Sequence, residues 1–393
     1  MFKLRYAGYA FGCVCLALGG CAWADGAHPV AGEQRRVVSV LDFGAAGNGG
    51  RDDAPAIQAA LDSGAATVTI PAGLYRIDGT LRVGSGTTVL ADPRAVVRLA
   101  DGAGTNVNVF LISNKGGGRD ITVDGGVWDG NNQQNRRPKD GTDPSVYTGV
   151  AVSFIGVTNL TLRNMTVRNP DSFSIRLGEV QNFLVENITL DHTVLRPNQD
   201  GIHVGGFSEK GVIRKISAIH PNSPNDDMVA LNADDDVTRS PNLGLKCGFI
   251  RDIVVEDLQA QGAWNFLRIF SNASLAENIT VRDVRGGCRI HAVNLDCWKF
   301  PRGCGDVRNV RLENFSVAKI QPGGIMFPIN LNIRGLHISD FQRVPHPLGE
   351  DVPTLLLNNG GDNRVSLDNG PLQTLPALSI PQGGIKELRI NCD

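Results

Sequence analysis

Three aspartates in the middle of the chain are the first candidates for chemistry. Asp200 lies in the segment Asn-Gln-Asp-Gly-Ile-His, and Asp226 and Asp227 lie in Asn-Asp-Asp-Met-Val-Ala. Hydrolysis of a glycosidic bond needs an acid to protonate the leaving oxygen and a base to activate the nucleophile. Carboxylates that are held together repel, so at least one keeps its proton to a raised pH. An isolated Asp-Asp pair is more typical of a solvated turn, so the hypothesis requires a fold that joins both segments.

A recurring strand segment predicts how that joining occurs. The segment is a short β-branched run opened by Asn or Asp, and it begins at Asn159, Asn182, Asp252, Asn278 and Asn309. A further copy at Gly211 divides the longest interval. Strand repeats of about 20 to 30 residues indicate a solenoid, whereas a β-propeller needs about 40 residues or more in each blade.

The solenoid places distant residues side by side. Rungs of a parallel β-helix lie about 4.8 Å apart, and the strand alternation turns Val, Ile, Leu and Phe inward. We therefore expect an all-β, single-stranded right-handed parallel β-helix with Asp200 and Asp227 on successive rungs. Adjacent strand residues face opposite ways, so Asp226 and Asp227 share a cleft only if the strand starts or bends there.

The N-terminal part predicts a cap for the solenoid. Residues 52–61 are the best helix candidate, with Asp52 or Asp53 as N-cap and Ala54-Pro55 in the first turn. A helix there would cover the terminal edge, which otherwise invites strand pairing. We assign the β-helix domain to residues 36–393.

Composition restricts the class of protein. Hydrophobic residues make up 41% of the 393 residues, and the 47 glycines and 6% aromatics favour short strands and many turns. A net charge of −2 argues against a nucleic-acid partner, which usually leaves a basic footprint. We expect a monomer.

The first residues predict export. Lys3 and Arg5 precede the apolar stretch 7–18, which is too short for a stable membrane anchor. Two processing sites compete: cleavage before Cys21 would give a lipoprotein, tethered to a membrane only through that lipidated residue, and Ala22-Trp-Ala24 suits an ordinary signal peptidase after residue 24. The expected location is the periplasm, the outer membrane as a lipoprotein, or the extracellular space.

Export permits disulfides among the cysteines that remain, which are Cys247, Cys288, Cys297, Cys304 and Cys392. Five is an odd number, so at least one thiol stays unpaired, and a bridge among Cys288, Cys297 and Cys304 is our expectation. No pair has the CxxC spacing of a zinc site, and we expect no metal and no cofactor.

Two sets of motifs resemble a known group of proteins. Asp42-Phe-Gly-Ala45, Asp52-Asp53 and Ile70-Pro-Ala-Gly73 are similar to the entry segment of the pectin-lyase-like β-helix superfamily. The segments 123–130, 198–203 and 225–230 resemble the polygalacturonase family, family 28 of the glycoside hydrolases. The resemblance covers most of residues 38 to 300.

The resemblance assigns roles to the three aspartates. It implies that Asp226 is the general acid, that Asp200 and Asp227 orient the attacking water, and that the reaction inverts the anomeric centre. Acid and base would then be farther apart than in retaining enzymes.

The sugar-binding residues match the family less well. The family's Gly-His-Gly coil reads Ala-Trp-Asn265 here, so Asn265 would bond a sugar hydroxyl. The family's Arg-Ile-Lys appears either as Arg289-Ile-His291, which counting of coils favours, or at Arg268. Other substrate-binding candidates are Asn198, His203, which is more often a surface histidine, and Arg176, which could instead form a salt bridge along the ladder.

Several alternatives remain open from the sequence. The same scaffold carries uronate lyases or epimerases, which need a cationic base and often calcium, and non-catalytic sugar-binding proteins. Asp234, Asp235 and Asp236 form either a calcium site or, as we favour, a charged loop. The insertions at residues 131–147 and 221–225 are expected to wall the cleft, and closure at one end would make the enzyme exo-acting.

Overall fold

In a computed structural model of the chain, the described residues are 36–105, 109–137, 147–296 and 299–392. The proposed leader, with its two cleavage sites and Cys21, lies outside them, and so does Cys297. The first half of the solenoid contains β1 Val37–Ser39, β2 Asn48–Asp52, β3 Thr67–Ile70, β4 Gly73–Ile77, β5 Leu81–Val83, β6 Thr88–Leu99, β7 Ile112–Asn114, β8 Gly118–Asp129, β9 Val152–Ile155, β10 Val157–Arg168, β11 Ile175–Gly178 and β12 Gln181–Asp191.

The second half contains β13 Ile202–Val204, β14 Ser208–Ala218, β15 Asp227–Asn232, β16 Ile250–Phe270, β17 Leu275–Asn294, β18 Asp306–Lys319, β19 Phe327–Ile329, β20 Ile333–Val344, β21 Leu355–Leu357, β22 Asn363–Leu367, β23 Gln373–Leu375, β24 Leu378–Ile380 and β25 Ile385–Cys392. The helices are α1 Ala54–Leu61 and four 3-10 turns, Val40–Phe43, Ala103–Thr105, Ser240–Asn242 and Pro347–Gly349. Among the described residues, no helix is both long and apolar enough to cross a membrane.

Parallel pairing between successive coils builds the solenoid, as the repeats predict. One inward-facing position runs in register through seven coils, and all its side chains are fully buried: Leu162, Val185, Ile213, Val255, Val281, Leu312 and Ile338. Burial of such a side chain stabilises the fold by about 1.5–3 kcal/mol. Stacks of this kind form one continuous core along the axis.

Asn and Asp residues turn the corners of the coils. Asp252, Asn278 and Asn309 have φ values of 57°, 54° and 48°, a left-handed conformation that Asn and Asp tolerate better than other side chains. Asn309 Nδ2 donates to Asn278 Oδ1 at 2.8 Å, and Asn278 Nδ2 donates to Asp252 Oδ1 at 2.8 Å. The predicted ladder of side-chain amides is confirmed.

The N-terminal helix covers the first coils, as predicted. Its buried residues Ile57, Ala60 and Leu61 face the core. Asp52 Oδ1 accepts the Ala54 N–H at 3.0 Å, while Asp53 makes no side-chain cap bond to the helix. At the other end, β25 pairs antiparallel with β20 and β22, so the last parallel strand does not end on an open edge.

The expected disulfide among Cys288, Cys297 and Cys304 is found only in part. Cys304 is disulfide-bonded, whereas Cys288 is a free thiol buried in the core. Burial raises the pKa of Cys288 to about 12, so this thiol is unreactive at neutral pH. Cys247 is free and exposed.

Candidate active site

The three aspartates meet where two short strands begin. Asp227 is the first residue of β15, and Asp226 immediately precedes that strand. The Gly201 N–H donates to the Asp227 carbonyl oxygen at 2.9 Å, which sets Asp200 and Asp227 on neighbouring rungs. Because the strand starts at Asp227, alternation does not force Asp226 to the opposite face, and both carboxylates reach one cavity. The predicted cluster is confirmed as a structural feature.

The cluster is tight and largely buried. One oxygen from each carboxylate lies within 4.8 Å of the others. Asp200 and Asp227 are 2% and 3% exposed, and Asp226 is half-buried. The 4.8 Å limit joins only the nearest oxygens of the three groups, and between these oxygens the wide separation expected of acid and base is not found. The rung spacing and the direct sequence adjacency of Asp226 and Asp227 bring the groups together.

Burial changes the protonation of all three groups. It raises the pKa of Asp200 and of Asp227 well above the ordinary value, and the negative charge of Asp226 raises both further. Burial also raises the pKa of Asp226, although Arg268 and Asn198 oppose that shift. Groups this close titrate as a unit, so the retained proton belongs to the cluster.

His203 orients Asp200. Its Nδ1 lies 2.7 Å from Asp200 Oδ2, and its ring stacks on Phe173 with centroids 4.0 Å apart. Burial lowers the pKa of His203 to about 4, so the ring is neutral at pH 7 and Nδ1–H donates to the carboxylate. Its Nε2 is buried without a hydrogen-bond partner among the described residues. The surface reading of this histidine is therefore wrong.

Asn265 orients Asp227 from the next coil. The residues Asp227, Asn265 and His291 are in register on three successive coils, as the counting of coils predicts. Asn265 Nδ2 donates to Asp227 Oδ1 at 2.7 Å, and Asn265 Oδ1 accepts the His291 N–H at 3.0 Å. Both polar ends of the amide are thus used within the protein, and Asn265 positions the carboxylate.

Cationic side chains share the cavity, whose volume is about 200 Å³. Its lining residues are Phe173, Asn198, Asp200, His203, Asp226, Asp227, Asn232, Asp235, Arg239, Arg268 and Lys299. Arg268 Nη1 lies 3.9 Å from Asp227 Oδ2, and its guanidinium packs 5.0 Å from the centre of the Phe270 ring. The Arg268 Nε is buried and has no partner among the described residues. Asn198 Nδ2 donates to Asp226 Oδ2 at 3.3 Å.

Two other predicted binding residues serve the surrounding structure. Arg289 donates to the carbonyl oxygens of Asn222 and Gly262 and to Asn225 Oδ1, and its guanidinium lies 4.9 Å from the centre of a Trp264 ring. His291 Nδ1 donates to the Ile325 carbonyl oxygen at 2.6 Å, and burial lowers its pKa to about 4. Neither side chain is part of the cavity lining given above.

Arg176 is also separate from the carboxylates. It is fully buried, donates to Ser153 Oγ and to the Pro241 carbonyl oxygen, and packs against Phe110. Burial lowers its pKa to about 9. The position of Arg176 one rung before His203 was predictable from the sequence. The contact of Arg176 with the segment around Pro241 was not.

Sequence reasoning missed Arg239, Lys299 and Asn232 as cavity residues. Arg239 and Lys299 lie in connections without strand periodicity, so no repeat position signals them. Asp235, considered only as part of a calcium site or a charged loop, accepts from Asn232 and Asn242 and pairs with Lys299 Nζ at 3.1 Å. Its place in the middle of the Asp-rich run was the one available signal.

The run Asp234 to Asp236 was the candidate for a cation site. Asp234 accepts the backbone N–H groups of residues 272–274 and the Ser274 hydroxyl, so its oxygens support a turn. Asp236 accepts from Thr238. This agrees with a structural charged loop. The oxygens of Asp200, Asp226 and Asp227 are close enough to bind one divalent cation.

The fold is similar to that of solved β-helix structures. The exopolygalacturonase from Thermotoga maritima superposes with a TM-score of 0.55 at 16% identity, over 89% of this chain and 95% of that one. The chain has the pectin-lyase-like β-helix fold. A family model described as rhamnogalacturonase A/epimerase, pectate lyase-like, matches residues 37–169 of this β-helix. That match ends before the three aspartates.

Curated relatives that match part of the chain are named for mannuronan and for alginate. Mannuronan C5-epimerase AlgE1 of Azotobacter vinelandii is 31% identical over 226 residues, which are 56% of this chain and 13% of the relative. Alginate lyase 7 of the same organism is 30% identical over 199 residues, which are 44% of this chain and 22% of the relative. The β-helix chain therefore spans less than a quarter of the length of either relative.

Proposed function

We propose that the protein is a glycoside hydrolase that cleaves a polyuronate such as a pectic polymer. The observation that carries this proposal is the convergence of two buried carboxyl groups and one half-buried carboxyl group, all with raised pKa values, in a cavity that also contains cationic side chains. Such a cluster holds a proton for the leaving group and a negative charge for the nucleophile in the same place.

Asp226 is the general acid in this mechanism, and in the reactive state it carries the proton that the three coupled carboxyl groups share. It is the most exposed of the three carboxyl groups, so it reaches a glycosidic oxygen above the cluster. Its proton passes to the leaving oxygen as the bond from that oxygen to C1 breaks. A water molecule forms the new bond to C1 and gives up its proton to the carboxylates of Asp200 and Asp227.

The anchoring of Asp200 and Asp227 favours direct attack by water. His203 holds one carboxylate and Asn265 holds the other, so both present fixed oxygens to a water between them. Two oxygens that each accept a hydrogen bond of about 2.7–2.8 Å from one water lie about 4.4 Å apart. The nearest oxygens of the three carboxyl groups are within 4.8 Å of one another, so a water that bridges two of them is compatible with this limit. Direct attack inverts the anomeric configuration, and retention would require one carboxylate to bond C1.

The cations favour an acidic substrate. Arg268 has a buried Nε without a hydrogen-bond partner in the described part of the chain, and Arg239 lies in the same cavity. Hydrogen bonds from charged groups to a carboxylate are the strong ones, so an acidic sugar fits better than a neutral sugar. The polymers named for the relatives and for the structural neighbour are consistent with a polyuronate.

A lyase or epimerase is the second candidate, because the curated relatives carry those names. Such an enzyme abstracts a proton next to the uronate carboxylate. In place of the expected cationic base, this cavity would supply the neutral His203, whose Nε2 has no hydrogen-bond partner among the described residues.

One experiment separates these candidates. Polygalacturonate, rhamnogalacturonan, alginate and a neutral polymer are each incubated with wild type and with Asp226→Asn. New reducing ends without ultraviolet absorbance support hydrolysis. Absorbance of an unsaturated uronate supports a lyase, and a changed uronate composition without cleavage supports an epimerase. Activity on no polymer would favour the non-catalytic sugar-binding protein.

We also propose that the protein is exported, on the basis of its basic and apolar first residues. Mass spectrometry of the N-terminus of the mature protein tests this and separates lipidation of Cys21 from cleavage after residue 24.

A further inference from the structure

The connection between β15 and β16 folds back over the face of the sheet that carries the site. This connection, residues 233–249, includes a 3-10 turn at Ser240–Asn242. Outward-facing positions of the sheet are in register from Ser153 through Arg176 and His203 to Ala230. Arg176 and His203 are only 2% and 1% exposed, although their strand neighbours fill the core on the other face. The connection is what covers Arg176.

Specific contacts hold the connection down. Arg176 Nη1 donates to the Pro241 carbonyl oxygen at 2.9 Å. Leu245 packs so close to Gly178 and Gly205 that an added Cβ would lie 2.6 Å and 3.1 Å from its Cδ2 atom. The Gly206 N–H donates to the Lys246 carbonyl oxygen, and Lys246 Nζ pairs with Glu179 at 2.7 Å.

The connection also separates two depressions on this face. On one side, Asp235 and Arg239 line the cavity of the three carboxylates. On the other side, Leu243 and Gly244 line a second cleft of about 600 Å³ that contains Arg176. The connection is therefore a wall between the site and the coils that precede it.

We propose that residues 235–245 close the substrate groove, so that the enzyme acts only on chain ends and releases monouronate. This inference rests on the proposed hydrolase function. A polymer that continued past the carboxylates toward the earlier coils would have to displace buried contacts of the wall. The cavity of about 200 Å³ is also smaller than the roughly 300–1,000 Å³ of typical small-molecule sites. It suits one terminal sugar ring.

Product analysis of the wild-type protein tests the proposal. Hexagalacturonate and hexamannuronate are supplied with free ends, with a label on the reducing end, and with both ends blocked. We expect monouronate as the sole product at early conversion and at least a 10-fold slower reaction on the doubly blocked hexamer. Release of dimers, trimers or tetramers at early conversion would contradict the proposal that residues 235–245 close the groove. Equal rates on blocked and free hexamers would contradict it as well. The absence of new reducing ends from every probe would instead refute the hydrolase function.

A shortened variant provides a second arm. The Gly248 N–H donates to the Ala233 carbonyl oxygen at 2.9 Å, so the two ends of the connection are adjacent and a short turn can join them. Replacement of residues 236–246 by Gly-Asn-Gly retains Asp234 and removes the wall. We expect the folded variant to release dimers and longer oligomers. Because the replacement also removes Arg239, the measurement is the length of the products and not the rate. A folded variant that still releases only monomer contradicts the proposal, and the wild-type hexamer assay decides if the variant is unfolded or inactive.

Discussion

Two groups of three aspartates lie near each other in sequence but occupy opposite environments. In the proposed catalytic group, Asp200, Asp226 and Asp227, burial raises every pKa, and each carboxylate has few donors. In the loop group, Asp234 to Asp236, hydrogen bonds and nearby cations lower every pKa although burial opposes them. The number of donors around a carboxylate, rather than its burial alone, separates a proton carrier from a structural anion.

The difference follows from what each group contacts. Asp234 accepts three backbone N–H groups and one hydroxyl, so its charge stabilises the turn at residues 272–274. Asp200 has His203 as its hydrogen-bonded side-chain partner, and Asp227 has Asn265. A cluster without enough donors for its charge favours binding of a proton, and this is the property that acid catalysis uses.

The largest expected effect is on catalysis. Asp226→Asn removes the proposed acid but keeps the shape of the side chain, and we expect a loss of about 10²–10⁴-fold in kcat. Asp236→Asn is the matched control, because Asp236 is an exposed member of the loop group, and its kcat should equal that of wild type. Initial rates of reducing-end release measure both. Equal losses in the two variants would remove the distinction between the groups.

The next effect concerns the cation that faces the catalytic group. Arg268→Ala removes a charged donor for the substrate carboxylate, worth about 1.5–3 kcal/mol, so kcat/KM should fall about 10- to 100-fold. Arg94→Ala, on the exposed surface beside Asp92, serves as the control. An unchanged kcat/KM for Arg268→Ala would show that another group binds the acidic sugar.

The loop group should affect stability instead. Asp234→Ala leaves three backbone N–H groups and the Ser274 hydroxyl without their acceptor, and we expect a loss of about 1–3 kcal/mol in the free energy of unfolding. Urea titration measures it. Asp226→Asn should lose no stability in the same assay, because it removes a charge from a repelling cluster. A comparable loss in both variants would contradict the comparison.

The smallest expected effect is on the pH dependence of stability, to which Asp226 and Asp234 contribute with opposite sign. Asp226 has a folded pKa above the ordinary 3.8, so its contribution to stability is present below that value and is lost as pH rises through the folded pKa. Asp234 has a lowered pKa, so its contribution is present above 3.8 and is lost as pH falls through the folded pKa. Relative to wild type, Tm of Asp226→Asn should increase from about pH 4 to pH 7. A decrease in this relative Tm would contradict the raised pKa of Asp226.

The fold was predictable because its determinants are local and repeated. Coils contact mainly their neighbours, so strand alternation and the Asn or Asp at each corner specify the stacking. The register of Asp200 with Asp227 follows from the same regularity. The side-chain partners of the site were less predictable: His203 is buried against Phe173, and Asn265 bonds Asp227 rather than being left free for sugar.

The sequence by itself determined the solenoid, its capping helix and the meeting of the three aspartates, because each depends on a period or a short motif. Only the tertiary structure decided where residues 233–249 lie. That connection has no strand period, and its anchor joins Pro241 to Arg176, 65 residues earlier. The expected walls at 131–147 and 221–225 contribute none of the residues that line the carboxylate cavity in the described part of the chain. Contacts between non-repeating segments depend on the packed shape of the whole β-helix, and that shape closes the groove.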